Sequence, residues 1–204
     1  MRIGLLGGSF DPPHNGHLLA AGDAMDALRL DCIVLIPAAI QPLKQVERQG
    51  SPSPRSESHQ DKKASPEDRL AMTRLLVEGV PGFQVNAIEI ERGGLSYTVD
   101  TLSTLASQLP SSELFWLIGG DVPRTFGKWR SPEKIVELAT VVVLRRTGET
   151  PDVSGLPGPP QLIETRRVDI SSTEIRQRVR EGRSIRGFVP DAVADYIASA
   201  GLYR

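Results

Sequence analysis

One short stretch near the start of the chain constrains the fold more than any other. It spans residues 7–17, reads Gly-Gly-Ser-Phe-Asp-Pro-Pro-His-Asn-Gly-His, and follows a mostly apolar run at residues 3–6. An apolar run without alternation is typical of a central parallel strand that is covered on both faces. The apolar residues that come next share one helical face, namely Leu18, Ala21, Met25 and Leu28. The chain therefore predicts a strand, a tight turn and a helix.

The turn in this unit predicts a phosphate site. Gly7 and Gly8 carry no Cβ atom that would keep a phosphate away from the main chain. His14 and His17 lie three residues apart at the expected helix start, so both rings should lie on one side, near unpaired N–H groups and the positive end of the helix dipole. Anions bind well at such a place. Taken singly, each histidine could equally be a capping or core residue.

Other sites fit this stretch less well. A zinc-binding His-Glu-x-x-His helix needs a spacing of four residues, and the single cysteine, Cys32, falls in the next predicted strand. No Gly-x-Gly-x-x-Gly follows the first strand, and the pair at residues 127–128 lacks the flanking residues of a Walker A loop. One cysteine also cannot form an internal disulfide.

Apolar strands alternate with helices along the rest of the chain. We predict strands at about residues 32–36, 83–88, 114–118, 140–144 and 162–163, and helices at about 66–78, 99–108 and 172–181 and from 190 onward. This order predicts an α/β fold: a Rossmann-like, doubly wound, mostly parallel sheet in three α/β/α layers, with a small helical C-terminal portion. We expect one domain over residues 1–204. Residues 45–65 are rich in Ser, Pro and charge, which predicts a flexible loop with His59 solvated inside it.

The overall charge predicts no general affinity for nucleic acid or for anionic membranes. The chain carries 24 Lys and Arg against 25 Asp and Glu, for a formal net charge of −1. Any affinity for phosphate must then be local. The sequence shows no signal peptide and no long apolar span, so a cytoplasmic location is expected.

A second helix start predicts another part of the phosphate site. Ser171 and Glu174 fit a capping box. Arg176 lies within the first two turns, where the helix dipole disfavours a positive charge unless an anion sits between the helix end and the guanidinium. We therefore predict that Ser172, Thr173 and Arg176 bind a triphosphate. Since loops at the carboxyl ends of parallel strands line the ligand crevice, the site should lie across the first and fourth strands.

Two further candidates follow predicted strands. Asp121 comes after Gly119 and Gly120, where its carboxylate could accept hydrogen bonds from ribose hydroxyls while the glycines let a base approach. Helix capping is the alternative role for this aspartate. Lys44 follows the second strand, and its position alone favours a surface lysine without a specific role.

The motifs together resemble a known family. The stretch at residues 7–17 resembles the signature of nucleotidyltransferases with a His-x-Gly-His motif. With the segments at residues 96–102, 118–121 and 170–176 and with Trp129, the whole chain resembles the bacterial nicotinate-nucleotide adenylyltransferases. Leu43 departs from that family, which often has a histidine before the lysine.

The resemblance implies an activity and a set of site residues. The reaction would transfer the adenylyl group of ATP to nicotinate mononucleotide and release pyrophosphate, with magnesium accompanying ATP. Catalytic residues would be His14, His17, Lys44 and Arg176. Residues that bind ATP would be Gly7, Gly8, Ser9, Phe10, His14, His17, Gly119, Asp121, Ser172, Thr173 and Arg176. Residues that bind nicotinate mononucleotide would be Ser9, Lys44, Tyr97, Thr98, Asp100, Thr101 and Trp129, with the indole stacked on the pyridine ring.

The reaction depends more on the alignment of its two substrates than on a nucleophilic side chain. A phosphate nucleophile is already ionised at neutral pH, so no catalytic cysteine, serine or general base is needed, and no covalent intermediate is expected. The alternatives are an enzyme of the same fold with nicotinamide mononucleotide or phosphopantetheine as acceptor, and a nucleotide sensor without turnover. The role of Arg130 and the oligomeric state are left open by the sequence.

Overall fold

The computed structural model of the chain describes residues 1–42 and 64–204. Lys44 and His59 lie outside these residues, as does almost all of the loop predicted at 45–65.

The centre of the fold is a six-stranded sheet in which every neighbouring pair is parallel. Its strands are β1 (Arg2–Gly8), β2 (Cys32–Pro37), β3 (Phe83–Val85), β4 (Glu113–Gly119), β5 (Thr140–Arg146) and β6 (Gln161–Thr165). They stand in the order β3-β2-β1-β4-β5-β6. The order reverses between β1 and β4, and ligands bind at such a switch point in doubly wound sheets. The predicted fold class is confirmed, and the switch point coincides with the predicted site.

Helices cover both faces of this sheet. They are α1 (Asn15–Leu28), α2 (Pro66–Val77), α3 (Ile88–Arg92), α4 (Thr98–Gln108), α5 (Pro123–Phe126), α6 (Pro132–Leu138), α7 (Ser172–Arg180) and α8 (Asp191–Ala200). No helix within residues 1–42 and 64–204 combines the length and the apolar content that a bilayer crossing requires.

The core forms two apolar layers because successive strand residues point to opposite faces. Leu117 packs on one face with side chains from α1, α2, α7 and α8, and Ile118 packs on the other with side chains from α4, α5 and α6. The two C-terminal helices thus belong to the main core. This accounts for the three-layer arrangement.

One predicted element is shorter than expected. The third strand was predicted over residues 83–88, but it ends at Val85. The Oδ1 atom of Asn86 accepts the N–H of Ile88 at 2.9 Å, which turns the chain into α3. The apolar residues at 88 and 90 therefore belong to a short helix, and the prediction was wrong for the end of this strand.

Candidate active site

The two predicted phosphate-binding helix starts meet in space. The phosphate loop, as we call residues 9–13, joins β1 to α1. From α7, Ser172 Oγ donates to the carbonyl of Pro12 at 2.8 Å, and Arg176 Nη1 donates to the carbonyl of Asp11 at 2.7 Å. These contacts place the amino end of α7 directly against the phosphate loop. Two sources of positive potential therefore converge at the end of β1.

The two histidines form a stacked pair at the start of α1. Their ring centroids lie 3.7 Å apart with a tilt of 35°. The main-chain N–H of His14, the residue before the helix, donates to Nδ1 of His17 at 3.2 Å. Phe10 presents its ring to that of His17 at 5.0 Å between centroids. The spacing of three residues thus brings both imidazoles to one side of the helix start.

Loss of hydration keeps both imidazoles neutral, since His14 is buried and His17 is half-buried. Desolvation, with a smaller contribution from the neighbouring His17, lowers the pKa of His14 to about 3. Desolvation also lowers the pKa of His17 to about 4, although the hydrogen bond with the His14 main chain acts in the opposite direction. Because Nδ1 of His17 accepts a hydrogen bond, the neutral ring carries its proton on Nε2. His17 is therefore prepared to donate a hydrogen bond from Nε2 to an anion.

The start of α7 supplies a cation and a hydroxyl. Arg176 Nη2 donates to Thr173 Oγ1 at 3.2 Å, which leaves further N–H donors on the guanidinium for an anion. The Ser172 hydroxyl proton is engaged by Pro12 in this arrangement. A phosphate would then meet the main-chain N–H of Ser172, where we had expected the side chain. Ser171 Oγ caps the helix by accepting the N–H of Glu174 at 3.1 Å.

Gly7 and Gly8, at the end of β1, serve the packing of the core as well as the access of a phosphate to the main chain. A Cβ atom on Gly7 would lie 2.7 Å from the ring of Trp116, and one on Gly8 would lie 3.2 Å from the ring of Phe10. Phe10 is only 2% exposed, so its ring is a core side chain and does not contact a nucleotide. The carbonyl of Ser9 accepts from Arg69 Nη1 at 2.6 Å. These contacts were not expected from the sequence.

A cavity of about 350 Å³ opens where β1 and β4 end. Its lining includes six of the predicted site residues, namely Gly7, Gly8, Tyr97, Thr98, Gly119 and Trp129. One face of the Trp129 indole is stacked on Phe126, with ring centroids 4.7 Å apart. Only the other face of the indole can meet a ligand. The cavity is thus suited to a flat ring held beside the phosphate loop.

Two predicted substrate residues support this cavity from behind. Thr101 is fully buried, and its hydroxyl donates to Glu89 Oε1 at 2.7 Å and accepts from Arg92 Nη2 at 3.0 Å. Asp100 pairs with Arg130 at 3.4 Å on the surface. Neither residue belongs to the lining of the cavity. The hydroxyl of Thr101 and one carboxylate oxygen of Asp100 are thus engaged by protein groups, and direct contact of these two residues with the substrate stays a prediction.

Asp121 lies at the end of β4, as predicted. Its Oδ1 atom would be 3.0 Å from a Cβ atom on Gly119, which lines the cavity, but Asp121 itself does not belong to the lining. The alternative role as a helix cap is wrong, since α5 begins at Pro123 and its capping residue is Val122. Asp121 is exposed, so a ligand can reach its carboxylate from the solvent.

Sequence reasoning missed three buried polar residues around the site. Glu89 lines the cavity and is 4% exposed, and burial raises the pKa of its carboxyl. Arg69 joins the carbonyls of Ser9 and Ala39, at 2.6 and 2.9 Å. Tyr203 donates to Asp11 Oδ1 at 2.7 Å. An arginine on the apolar face of α2 was the one local signal that could have drawn attention to Arg69.

Comparisons with known proteins agree with this arrangement. The family model described as cytidylyltransferase-like matches residues 5–178. A protein from Gemmatimonas aurantiaca, named probable nicotinate-nucleotide adenylyltransferase, is 49% identical over 100% of this chain and 93% of its own length. A protein of the same name from Thermus thermophilus is 43% identical over the full length of both chains.

Solved structures show the same fold. The nicotinic acid mononucleotide adenylyltransferase of Plasmodium falciparum, complexed with NaAD, superposes with a TM-score of 0.73 at 18% identity, over 99% of this chain and 97% of that one. A protein of Vibrio parahaemolyticus described as a putative nicotinate-nucleotide adenylyltransferase gives a TM-score of 0.67 at 20% identity, over 100% and 95%.

Proposed function

Since the chain belongs to the cytidylyltransferase-like family and, within it, to the nicotinate-nucleotide adenylyltransferases, we propose that it transfers the adenylyl group of ATP to nicotinate mononucleotide. The products are nicotinate adenine dinucleotide and pyrophosphate. The observation that carries this proposal is the meeting of α1 and α7 beside a cavity that ends on Trp129. A triphosphate at the helix starts and a pyridine ring in the cavity would then be neighbours.

The reaction we propose is a direct displacement at the α-phosphorus. A phosphate oxygen of nicotinate mononucleotide forms the new P–O bond, and the bond to the β-phosphate oxygen breaks. The attacking oxygen is already charged, so the protein's task is to align the two substrates and to meet the negative charge that moves toward pyrophosphate. Hydrogen-bond donors that are already held in place stabilise this negative charge without having to reorient during the reaction.

The helix starts supply donors of two kinds. His17 offers a neutral Nε2–H group, and His14 lies against it with a pKa that is lowered further. Arg176 offers a permanent positive charge. Lys44 lies outside the described residues, two positions after Pro42, which lines the cavity. We keep Lys44 in the proposal as a second cation for the phosphates.

Magnesium fits this site only as a companion of the nucleotide. The donors around the phosphate loop are imidazole, guanidinium and N–H groups, which bind phosphate oxygens, whereas magnesium prefers oxygen ligands. Within residues 1–42 and 64–204, no group of three or more acidic, histidine or cysteine side chains could hold a metal ion. We propose that magnesium is held mainly by the phosphates of ATP, whose charge it partly neutralises. A cytoplasmic location is retained as the expectation from the sequence.

The charges around the cavity favour an acceptor with a carboxylate. Lys128 and Arg130, on either side of Trp129 in sequence, both line the cavity. The acidic side chain in the lining is Glu89, and burial raises the pKa of its carboxyl, which disfavours its charged form. The guanidinium of Arg130 also lies 4.9 Å from the ring of Tyr97. A nicotinate ring on Trp129 would bring its carboxylate near these cations, whereas the carboxamide of nicotinamide carries no negative charge. We therefore propose a preference for nicotinate mononucleotide over nicotinamide mononucleotide.

One assay separates the candidate functions. Pyrophosphate release is measured with ATP and, in turn, nicotinate mononucleotide, nicotinamide mononucleotide, phosphopantetheine and glycerol 3-phosphate, and the dinucleotide product is identified by mass. The highest kcat/KM is expected with nicotinate mononucleotide. A higher value with another acceptor would replace the proposed substrate. Binding of ATP without turnover of any acceptor would favour a sensor.

A further inference from the structure

The phosphate loop is held from the far end of the chain. Tyr203, the residue before the last, donates from its hydroxyl to Asp11 Oδ1 at 2.7 Å across 192 positions of sequence. The carbonyl of the same aspartate accepts from Arg176 at 2.7 Å. Asp11 is therefore fixed at both its side chain and its main chain.

The conformation of Tyr203 is unusual. Its φ angle is 63°, in the left-handed region that a residue with a Cβ atom adopts only at an energetic cost. Its side chain is 3% exposed and packs in the same apolar cluster as Phe10 and Ile175. Backbone strain of this kind persists where surrounding contacts enforce it, and it is often found beside functional sites.

The charges around Asp11 suit this contact. Arg69 and Arg176 both interact electrostatically with the hydroxyl of Tyr203, and Arg69 also interacts with Asp11. Burial and the hydrogen bond to Asp11 raise the pKa of Tyr203, so the hydroxyl keeps its proton and remains a donor. A hydrogen bond to a carboxylate is stronger than one between neutral groups.

We propose that Tyr203 is a positioning residue for adenylyl transfer, and that its hydroxyl acts through Asp11 to fix the loop that leads into His14 and His17. This inference rests on the proposed function. Asp11 stands three residues before His14, so a shift of the loop would move the imidazoles relative to Arg176. Misplacement of reacting groups by about 1 Å can cost as much as 100-fold in rate.

The chain offers a matched control. Tyr196 in α8 also donates from its hydroxyl to an aspartate, Asp68 Oδ1, at 2.9 Å, but this aspartate belongs to the capping box of α2 and not to the phosphate loop. For Tyr203→Phe we expect kcat to fall about tenfold, as loss of one charge-assisted hydrogen bond would allow, with KM for nicotinate mononucleotide within about twofold. Tyr196→Phe should leave both constants unchanged. Equal effects of the two variants, or none, would overturn the proposal.

A second variant and a second readout keep the test decisive. Asp11→Ala should lose the same factor, and the combination with Tyr203→Phe should lose no more, whereas additive losses would refute the coupling. NMR titration of the imidazoles needs no turnover. A loop that Tyr203→Phe has loosened should admit water to the His17 ring, whose pKa is lowered mainly by desolvation, so the pKa of His17 should rise from about 4 toward its ordinary value. Tyr196→Phe should leave this pKa unchanged. An unchanged His17 titration in Tyr203→Phe would also refute the inference.

These readouts distinguish two failures. If the unaltered protein turned over none of the four acceptors, the proposed function would fail, and the imidazole titration would still decide whether Tyr203 positions the loop. If the unaltered protein is active and Tyr203→Phe behaves like Tyr196→Phe in both assays, only the inference about Tyr203 fails.

Discussion

The neutral histidine pair should make the stability of this protein fall steeply between pH 7 and pH 5. The pKa values of His14 and His17 lie near 3 and 4 in the folded chain, against 6.5 without the fold. Between these values the unfolded chain binds protons that the folded chain does not. Stability must therefore rise with pH in this window and be lost as the pH falls through about 6.5.

The size of the effect follows from the difference in protonation. At pH 5 an unfolded histidine is almost fully charged, whereas both folded imidazoles remain mostly neutral. For each histidine this lowers the free energy of unfolding by about 2 kcal/mol relative to pH 7, and by about 4 kcal/mol for the pair. Both folded pKa values lie below 5, so the magnitude is set mainly by the unfolded state.

Urea unfolding followed by tryptophan fluorescence at pH 7 and pH 5 measures this loss. The comparison is with a double variant, His14→Gln with His17→Gln. All other titrating groups are the same in the two proteins, so their contributions to the pH dependence cancel. The unaltered protein should lose about 4 kcal/mol more than the double variant between the two pH values, and each single variant should remove about half of that difference. Equal losses in the unaltered protein and the double variant would show that the imidazoles protonate freely in the folded state, which would refute the reasoning.

Three further outcomes are expected. His17→Ala should lower kcat by roughly 100-fold while the circular dichroism spectrum is unchanged, since one transition-state donor is lost; an unchanged kcat would remove this residue from the mechanism. Arg130→Met should reduce the preference for nicotinate over nicotinamide mononucleotide by roughly fivefold, corresponding to about 1 kcal/mol for a half-exposed ion pair, as measured by the ratio of kcat/KM values. Gly7→Ala should lower the free energy of unfolding by about 1–3 kcal/mol because its Cβ atom would meet Trp116 at 2.7 Å. Gly22→Ala, with open space around its Cβ position in α1, should raise that free energy by roughly 0.5–1 kcal/mol, and the opposite order in urea unfolding would contradict this packing.

The alternation of apolar strands and helices could be predicted from the sequence because it depends on residues that are close together in the chain. A buried parallel strand such as β4 is apolar from its second residue to its sixth, and the residues that share the buried face of α1 are three or four apart. The meeting of the two imidazoles was predictable for the same reason, since a spacing of three residues at a helix start brings side chains together. The early end of β3 could not be predicted in this way, because it depends on one hydrogen bond that the side chain of Asn86 accepts from the N–H of Ile88.

What the sequence by itself determined was the order of the elements, the parallel class of the sheet and the two helix starts rich in phosphate-binding groups. Only the tertiary structure decided that Ser172 meets Pro12 across 160 positions, that Tyr203 reaches Asp11 across 192, and that the imidazoles are buried enough to stay neutral. The physical reason is the sequence separation of the residues that interact. The pattern that forms a helix or a strand involves residues only a few positions apart, whereas the burial and hydrogen-bond partners of a side chain depend on segments that only the folded sheet brings together.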